Sequence, residues 1–363
     1  QKYKQMKRRI SFLIILMVLV IMLPDLYIYY GLKKYLGFHF LFLNLAYWLV
    51  PLVFLIYLLV IFQHKTWLRT NPTDQRKLYG FMGGFILFYI PKWFLLVFQM
   101  LHDVFRYTLA AWIPSLSMGN SLFVVGLLIS AILFLFILYG IVFGKFHFTQ
   151  ERISLRSHKI PQEWEGLRIV HFSDLHLGSW GRAVHQLKKA VGLINEQNPD
   201  IILFTGDLVN NSADELDEFL PVLDQLKARI GKYSILGNHD YGDYYPWKTR
   251  QEKESNLQKI KAAHEQMGFH LLLNDAVVLE GESSILGVIG VENWGLPPFH
   301  QYGDLSEALA RIQESTDFNI LLSHDPSHWK SEVIQYPEID LTLSGHTHGM
   351  QFGFYTRRFK WSP

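Results

Sequence analysis

Four apolar runs fill the first 145 residues of this 363-residue chain, at about Ile10–Tyr30, His39–Phe62, Tyr79–Leu101 and Ser121–Phe143. Each is roughly 20 residues or a little longer, the length an α-helix needs to cross about 30 Å of hydrocarbon. Helices buried in soluble cores rarely stay apolar on every face for so long. Residues 1–145 are therefore predicted to be a transmembrane domain of four membrane-spanning helices. A composition of 50% hydrophobic and 15% aromatic residues agrees with a chain that lies partly in lipid. The first run has the basic flank of a signal peptide, in Lys2, Lys4, Lys7, Arg8 and Arg9. No small-residue cleavage site follows it and the apolar stretch continues past Pro24, so it reads as an uncleaved helix. The chain opens on Gln rather than Met, which points to a trimmed start. Asp25 reads as an interfacial residue, with an intramembrane functional role as the sharper alternative.

Loop charges set the orientation. The second connection carries Lys65, Arg69, Arg76 and Lys77, and the segment after the fourth run carries Lys145, Arg152, Arg156 and Lys159. The other two connections hold only Lys33 and Lys34, and Arg106. The positive-inside rule places both ends of the chain on the cytoplasmic side of a cell inner membrane.

From residue 146 onward the pattern is that of a second, globular α/β domain reaching residue 363. The runs LRIVHFSD, DIILFTGD, KYSILGNHD, FNILLSHD and IDLTLSGH are short and rich in leucine and β-branched residues, and each ends in a cluster of Asp, Asn, His or Gly. Helical stretches such as RAVHQLKKAVGLINEQ and DELDEFLPVLDQLKARI separate some of them. Alternation of this kind predicts a sheet with helices on its faces. Three further runs, FHLLLND, AVVLEGE and SILGVIGVE, suggest a second and more antiparallel sheet.

Ligands in such folds sit beyond the carboxyl ends of the strands, so the polar residues there matter most. They are Asp174 and His176, then Asp207, then Asn238, His239 and Asp240, then His324, and finally His346 and His348. Each alone has an ordinary explanation: Gly-Asp as a turn, Asn-His-Asp as a helix cap, His324 as a capped core histidine. Together, at successive strand ends, they form a metal-ligand set. Zero cysteines exclude thiolate ligands, thiol nucleophiles and disulfides. Mixed nitrogen and oxygen ligation suits Mn, Fe or Zn better than an all-oxygen Mg site. Two divalent ions about 3.5–4 Å apart need a bridging ligand, and a carboxylate such as Asp207 can bridge. A bridging water deprotonated at neutral pH could then attack phosphorus in line, with an unligated His protonating the leaving oxygen. In GHTH, residues i and i+2 of an extended segment project to the same side. Gly345 and Gly349 would let the backbone turn beside the metals.

The ordered set D-x-H, G-D, G-N-H-D, H and G-H-x-H resembles the calcineurin-like metallophosphoesterase superfamily over Leu167–Gly349. The wording EGLRIVHFSDLHLGS and GVENWG is most similar to its membrane-associated bacterial branch, which includes phosphodiesterases and UDP-diacylglucosamine pyrophosphatase-like enzymes. The resemblance implies a four-layer α-β-β-α sandwich with two mixed sheets. It implies one metal held by Asp174, His176, Asp207 and His348, and a second by Asp207, Asn238, His324 and His346. His239 would be the acid and transition-state donor, with Asp240 orienting it. Family members continue past G-H-x-H with further strands, so a domain truncated at its C-terminus is expected.

The expected function is therefore a membrane-anchored phosphoesterase dependent on two divalent ions (Mn, Fe or Zn). It would hydrolyse a phosphodiester, pyrophosphate or phosphomonoester bond of a small-molecule or lipid-linked substrate. In YGDYYPW, Tyr244, Tyr245 and Trp247 either pack on the domain or form an amphipathic rim facing an acyl chain. Arg182, Lys188 and Lys189 read as a solvated helix face. A net charge of +2 gives no nucleic-acid footprint. Two other classes compete. A signalling or scaffold protein could bind a phosphorylated ligand without turnover, but it has no need of the His239–Asp240 pair. A transporter would carry clusters of buried charge or paired broken helices, which the spans do not display as sequence.

Overall fold

The computed structural model of the chain describes residues 2–63, 72–108, 112–113, 119–296, 300–312, 315–348, 354–355 and 360–361. Contacts divide it into two compact units, Gln1–Thr149 and Gln150–Pro363.

The first unit is helical: α1 (Lys2–Leu36), α2 (Leu41–Gln63), α3 (Pro72–Tyr107) and α4 (Ser121–Val142). Among the described residues, three stretches are long and apolar enough to cross a bilayer: Leu41–Val60, Gly80–Tyr107 and Ser121–Phe146. Only 11–22% of the hydropathic window in each is buried within the unit. Such an outward apolar surface needs lipid to cover it. The first apolar run lies in α1, whose side chains up to residue 15 are outside the described set, as are Lys65 and Arg69. Pro24, Pro51 and Pro91 sit inside helices, which membrane helices tolerate. Gly31 faces Gln99 and Gly126 faces Phe98 so closely that a Cβ at either position would clash. Small residues bring membrane helices together in this way.

One reading of the spans changes here. Asp25 is fully buried within the helical unit. It is ion-paired with Lys92 of α3 and accepts the hydroxyls of Tyr89 (2.9 Å) and Tyr47 (3.0 Å). Asp103 in turn accepts the hydroxyls of Tyr27 and Tyr35. The spans therefore do hold buried charge. The partners lie far apart in sequence, so a run-by-run reading cannot pair them.

The second unit is a sandwich. Its first sheet is β1 (Ile169–Phe172), β2 (Ile201–Phe204), β3 (Gly231–Ser234) and β4 (His270–Leu271), in that order. Its second is β5 (Asp275–Glu280), β6 (Ile285–Gly290), β7 (Phe318–Leu322) and β8 (Leu341–Leu343). Strand alternation decides the layers. Ile201 and Leu203 of β2 meet Leu286 and Val288 of β6 and Ile320 and Leu322 of β7 between the sheets. Ile202 and Phe204 face the other way, against Leu187 and Val191 of α5 (Val184–Asn195) and Ile260 of α7 (Arg250–Gln266). On the far side, Ile289 and Leu321 pack on Leu305 and Ala308 of α8 (Leu305–Ala310). The order helix, sheet, sheet, helix is the expected four-layer arrangement.

Three details depart from expectation. Only the second sheet is mixed, with β5 antiparallel to β6 and the rest parallel; the described strands of the first are all parallel. FHLLLND supplies β4 of the first sheet rather than a strand of the second, because α7 is the crossover that a parallel neighbour of β3 requires. The stretch 214–230 is no long helix. It holds a 3-10 turn, Ala213–Glu215, and the single turn α6 (Leu220–Leu223) with Pro221 at its start. A short helix, α9 (Ser327–Ser331), follows β7. Beyond the GHTH segment, β9 (Phe354–Tyr355) and β10 (Lys360–Trp361) pair antiparallel.

Candidate metal centre

Strands β1, β2 and β3 of the first sheet and β7 and β8 of the second release their chains at one edge of the sandwich. One ligand atom from each of Asp174, His176, Asp207 and His348 lies within 4.8 Å of the others. Asp207, His324 and His346 form a second such group. The pairwise distances are short: His176 Nε2 to Asp207 Oδ2 3.3 Å, His324 Nε2 to Asp207 Oδ2 3.2 Å, and His348 Nε2 to Asp174 Oδ1 3.7 Å. Ligands about 2.1 Å from a shared ion stand roughly 3–4 Å apart, so these spacings suit metal ligation. Asn238 joins the second group, with Oδ1 3.1 Å from His324 Nε2 and 3.0 Å from His346 Nδ1.

The backbone is bent to achieve this. Among the described residues, seven non-glycine residues have positive φ, and five of them are Asp174, His176, Asp207, His346 and His348. Left-handed backbone costs an L-residue free energy and gathers where function needs it. His346 (φ 70°) and His348 (φ 53°) therefore do not converge as alternate residues of an extended segment. The segment has left β8 and turns left-handed at both positions. Gly345 contributes close approach, since a Cβ there would collide with Ser173 Oγ and the Asp174 carboxylate. Gly349 lies outside the described residues. The His346 N–H donates to both Asp174 oxygens at 3.0 Å, tying the β8 loop to the β1 loop.

Two observations test whether these residues fit metal ions. Asp207 Oδ2 is fully buried, has no hydrogen bond of good geometry, and stands between two imidazoles, as a bridging atom would. His324 donates its Nδ1–H to the Thr205 carbonyl at 2.7 Å. That bond fixes the tautomer and leaves Nε2 as a free ligand, the usual outer partner of a metal-bound histidine. The residues fit. Electrostatics agree. Burial alone would raise Asp207 and lower His324 and His176, but their mutual attraction wins. Asp207 falls well below the usual carboxylate range, His324 rises to about 9, and His176 also rises. The buried carboxylate demands positive charge, which protons supply in the absence of cations.

His239 donates its Nδ1–H to the Asn210 carbonyl at 2.7 Å, which leaves Nε2 open to the site. Its ring lies edge-on to His176, with centroids 4.8 Å apart. Asp240 does not orient that ring. Its fully buried carboxylate accepts the backbone N–H groups of Gly237, Asp207 and Leu208, each at 2.9 Å, and of Val209 at 3.3 Å. It clamps the β2 and β3 loops together. The side chain of residue 240 points back along the loop because the chain turns immediately after His239. Burial first, and Asp207 second, push Asp240 above the ordinary carboxylate range.

Of Tyr244, Tyr245 and Trp247, Tyr244 reaches the site. Its hydroxyl accepts Asn238 Nδ2–H at 3.0 Å and its ring lies 4.8 Å from that of His239. Tyr245 and Trp247 pack on each other, and the Trp247 indole donates to Gly242 O. Glu215 is a site-shaping residue that strand ends do not reveal. Its carboxylate collects the N–H groups of Gly178, Asn210, Asn211 and Ser212 at 2.6–3.1 Å, bracing the loops that carry His176 and Asn210. The S-x-x-E spacing of Ser212 and Glu215, a capping box, is the signal that could have found it.

Two sheets meeting at an edge that carries clustered His, Asp and Asn side chains agree with a metallophosphoesterase. The chain belongs to the calcineurin-like phosphoesterase family, whose profile matches residues 167–350. Residues 8–145 match a second family, described as a probable calcineurin-like phosphoesterase, transmembrane domain, so this is a membrane protein. The chain is similar to the uncharacterized metallophosphoesterase YkuE of Bacillus subtilis, 32% identical over 207 residues, or 56% of this chain and 66% of that protein. It is similar to a transmembrane protein with metallophosphoesterase domain of Danio rerio, 30% identical over 63% of this chain and 50% of that one. An Aquifex aeolicus metallophosphoesterase is 31% identical over 55% of this chain and 69% of its own. The chain thus spans between half and about two thirds of the length of these relatives. Among solved structures, Haemophilus influenzae NAD nucleotidase matches 51% of this chain and 39% of its own, with 17% identity and a TM-score of 0.34. A likeness that loose bears on nothing further.

Proposed function

We propose that this chain is a membrane-anchored phosphoesterase whose catalytic unit, residues 146–363, works with two divalent ions, Mn, Fe or Zn. The observation that carries this reading is the pair of ligand groups sharing Asp207, with its buried Oδ2 lacking a hydrogen-bond partner. Asp174, His176, Asp207 and His348 would hold one ion, and Asp207, Asn238, His324 and His346 the other. When bound, such ions supply Lewis-acid charge for a phosphoryl group and for the attacking water. The chain's own groups do the rest. His324, held by Thr205, keeps its Nε2 aimed at the centre. Asp174 pins the β8 loop through the His346 N–H. His239, fixed by Asn210 at Nδ1, has Nε2 left to hold or give a proton to the leaving oxygen.

The substrate class is a phosphodiester, pyrophosphate or phosphomonoester. The four-helix anchor, residues 1–145, favours a lipid-linked one, since it confines the search to a surface. Loop charges favour a cytoplasmic catalytic unit at a cell inner membrane; strong activity of a periplasm-dependent reporter fused after residue 160 would overturn that. Hydrolysis of bis(p-nitrophenyl) phosphate by the full chain with added Mn²⁺ tests the activity. No turnover by folded, metal-loaded protein would favour a phosphate-binding scaffold instead.

A further inference from the structure

Asn238 is the one amide among the proposed ligands, and its planar end can point the wrong way. Its Oδ1 converges with His324 Nε2 and His346 Nδ1 at 3.1 and 3.0 Å, while its Nδ2 donates to the Tyr244 hydroxyl at 3.0 Å. Rotating the amide by half a turn would aim two N–H groups, with no lone pair, at the point where an ion must sit. Asn238 is only 9% exposed, so water cannot readily replace a lost partner of Nδ2. Tyr244 stands at the rim, 43% exposed, with its ring against His239.

We propose that Tyr244 is a positioning residue for the second metal position: by accepting the Asn238 Nδ2–H, it braces the amide while Oδ1 faces the ion. This rests on the two-metal reading of the site. Outer partners of metal ligands commonly govern affinity by about 10- to 100-fold, and one lost neutral hydrogen bond lies near the lower end of that range.

The test is Mn²⁺ titration calorimetry on the full chain in detergent, for wild type and Tyr244→Phe. Phe keeps the ring against His239, and near-ultraviolet circular dichroism verifies the fold. Wild type should bind two ions, and Tyr244→Phe should weaken one of them about tenfold while leaving the other unchanged. Unchanged affinity in Tyr244→Phe, or an equal loss at both ions, would overturn the positioning role and leave the two-metal reading standing. Fewer than two ions in wild type would remove that reading and this inference with it.

Discussion

Asp240→Asn separates two accounts of the GNHD motif. In the structure, Asp240 Oδ2 accepts from Asp207 N and Gly237 N, and Oδ1 from Leu208 N and Val209 N. Asparagine keeps one oxygen, so its NH₂ must face two backbone N–H groups whichever way the amide lies. Each buried donor stripped of its acceptor costs about 1–3 kcal/mol, which gives about 2–6 kcal/mol for the pair. A unit of this size loses about 2–4 °C in Tm per kcal/mol, so the melting temperature should drop by roughly 5–20 °C. The freed N–H groups belong to the loop that carries Asp207, so metal content should fall as well. Fluorescence-monitored unfolding of the full chain and metal analysis after dialysis measure both quantities. If Asp240 instead tuned the His239 ring, the variant would lose rate while keeping wild-type Tm and metal content. That result would refute the clamp.

Other consequences can be checked independently. Gly345→Ala should lower metal occupancy and destabilise the fold by about 1–3 kcal/mol, because its methyl group would displace Ser173 and Asp174; wild-type metal content would contradict the close approach. Asp25→Leu should cost up to about 3 kcal/mol by stranding half-buried Lys92, and Asp25→Leu with Lys92→Met should recover most of it. Thermal unfolding in detergent compares the two, and equal losses would deny the pairing. Burial lowers His171 to about 4 and His264 to about 3, so both stay neutral when folded and take up protons when unfolded. Their contribution is fully present above about pH 6.5 and is lost as pH falls toward these values, at up to about 1.4 kcal/mol per pH unit for each group. A flatter acid limb of the stability curve in His264→Gln is the expected sign.

How much of this was legible in sequence depends on whether the determinants are local. The strand ends were legible, because a β-rich run that stops at Asp, Asn or His marks a site regardless of how the sheets assemble. The unbroken apolar run IILF likewise announces a strand buried on both faces. Pairings between distant segments were not legible. Asp25 and Lys92, 67 residues apart, look like isolated charges in apolar runs, and only helix packing joins them. FHLLLND reads as a strand, yet nothing in it says which sheet it joins; the preceding helix α7 decides that. Asp240 looks like the partner of the histidine beside it, and only the turn after β3 reveals that its carboxylate faces backbone N–H groups instead. The spacing of His346 and His348 suggested an extended segment, but left-handed backbone at both positions is what aims the rings.

Counting metal ions in variants tests the shared-carboxylate centre most directly. The wild-type chain loaded with Mn²⁺ and dialysed should retain two ions per chain. Loss of His348 as His348→Ala should leave one, and so should His346→Ala, whereas Asp207→Ala should leave none. His239→Ala should keep both while hydrolysis falls by about 10²–10⁴-fold. A single retained ion in Asp207→Ala, or only one in wild type, would contradict the account.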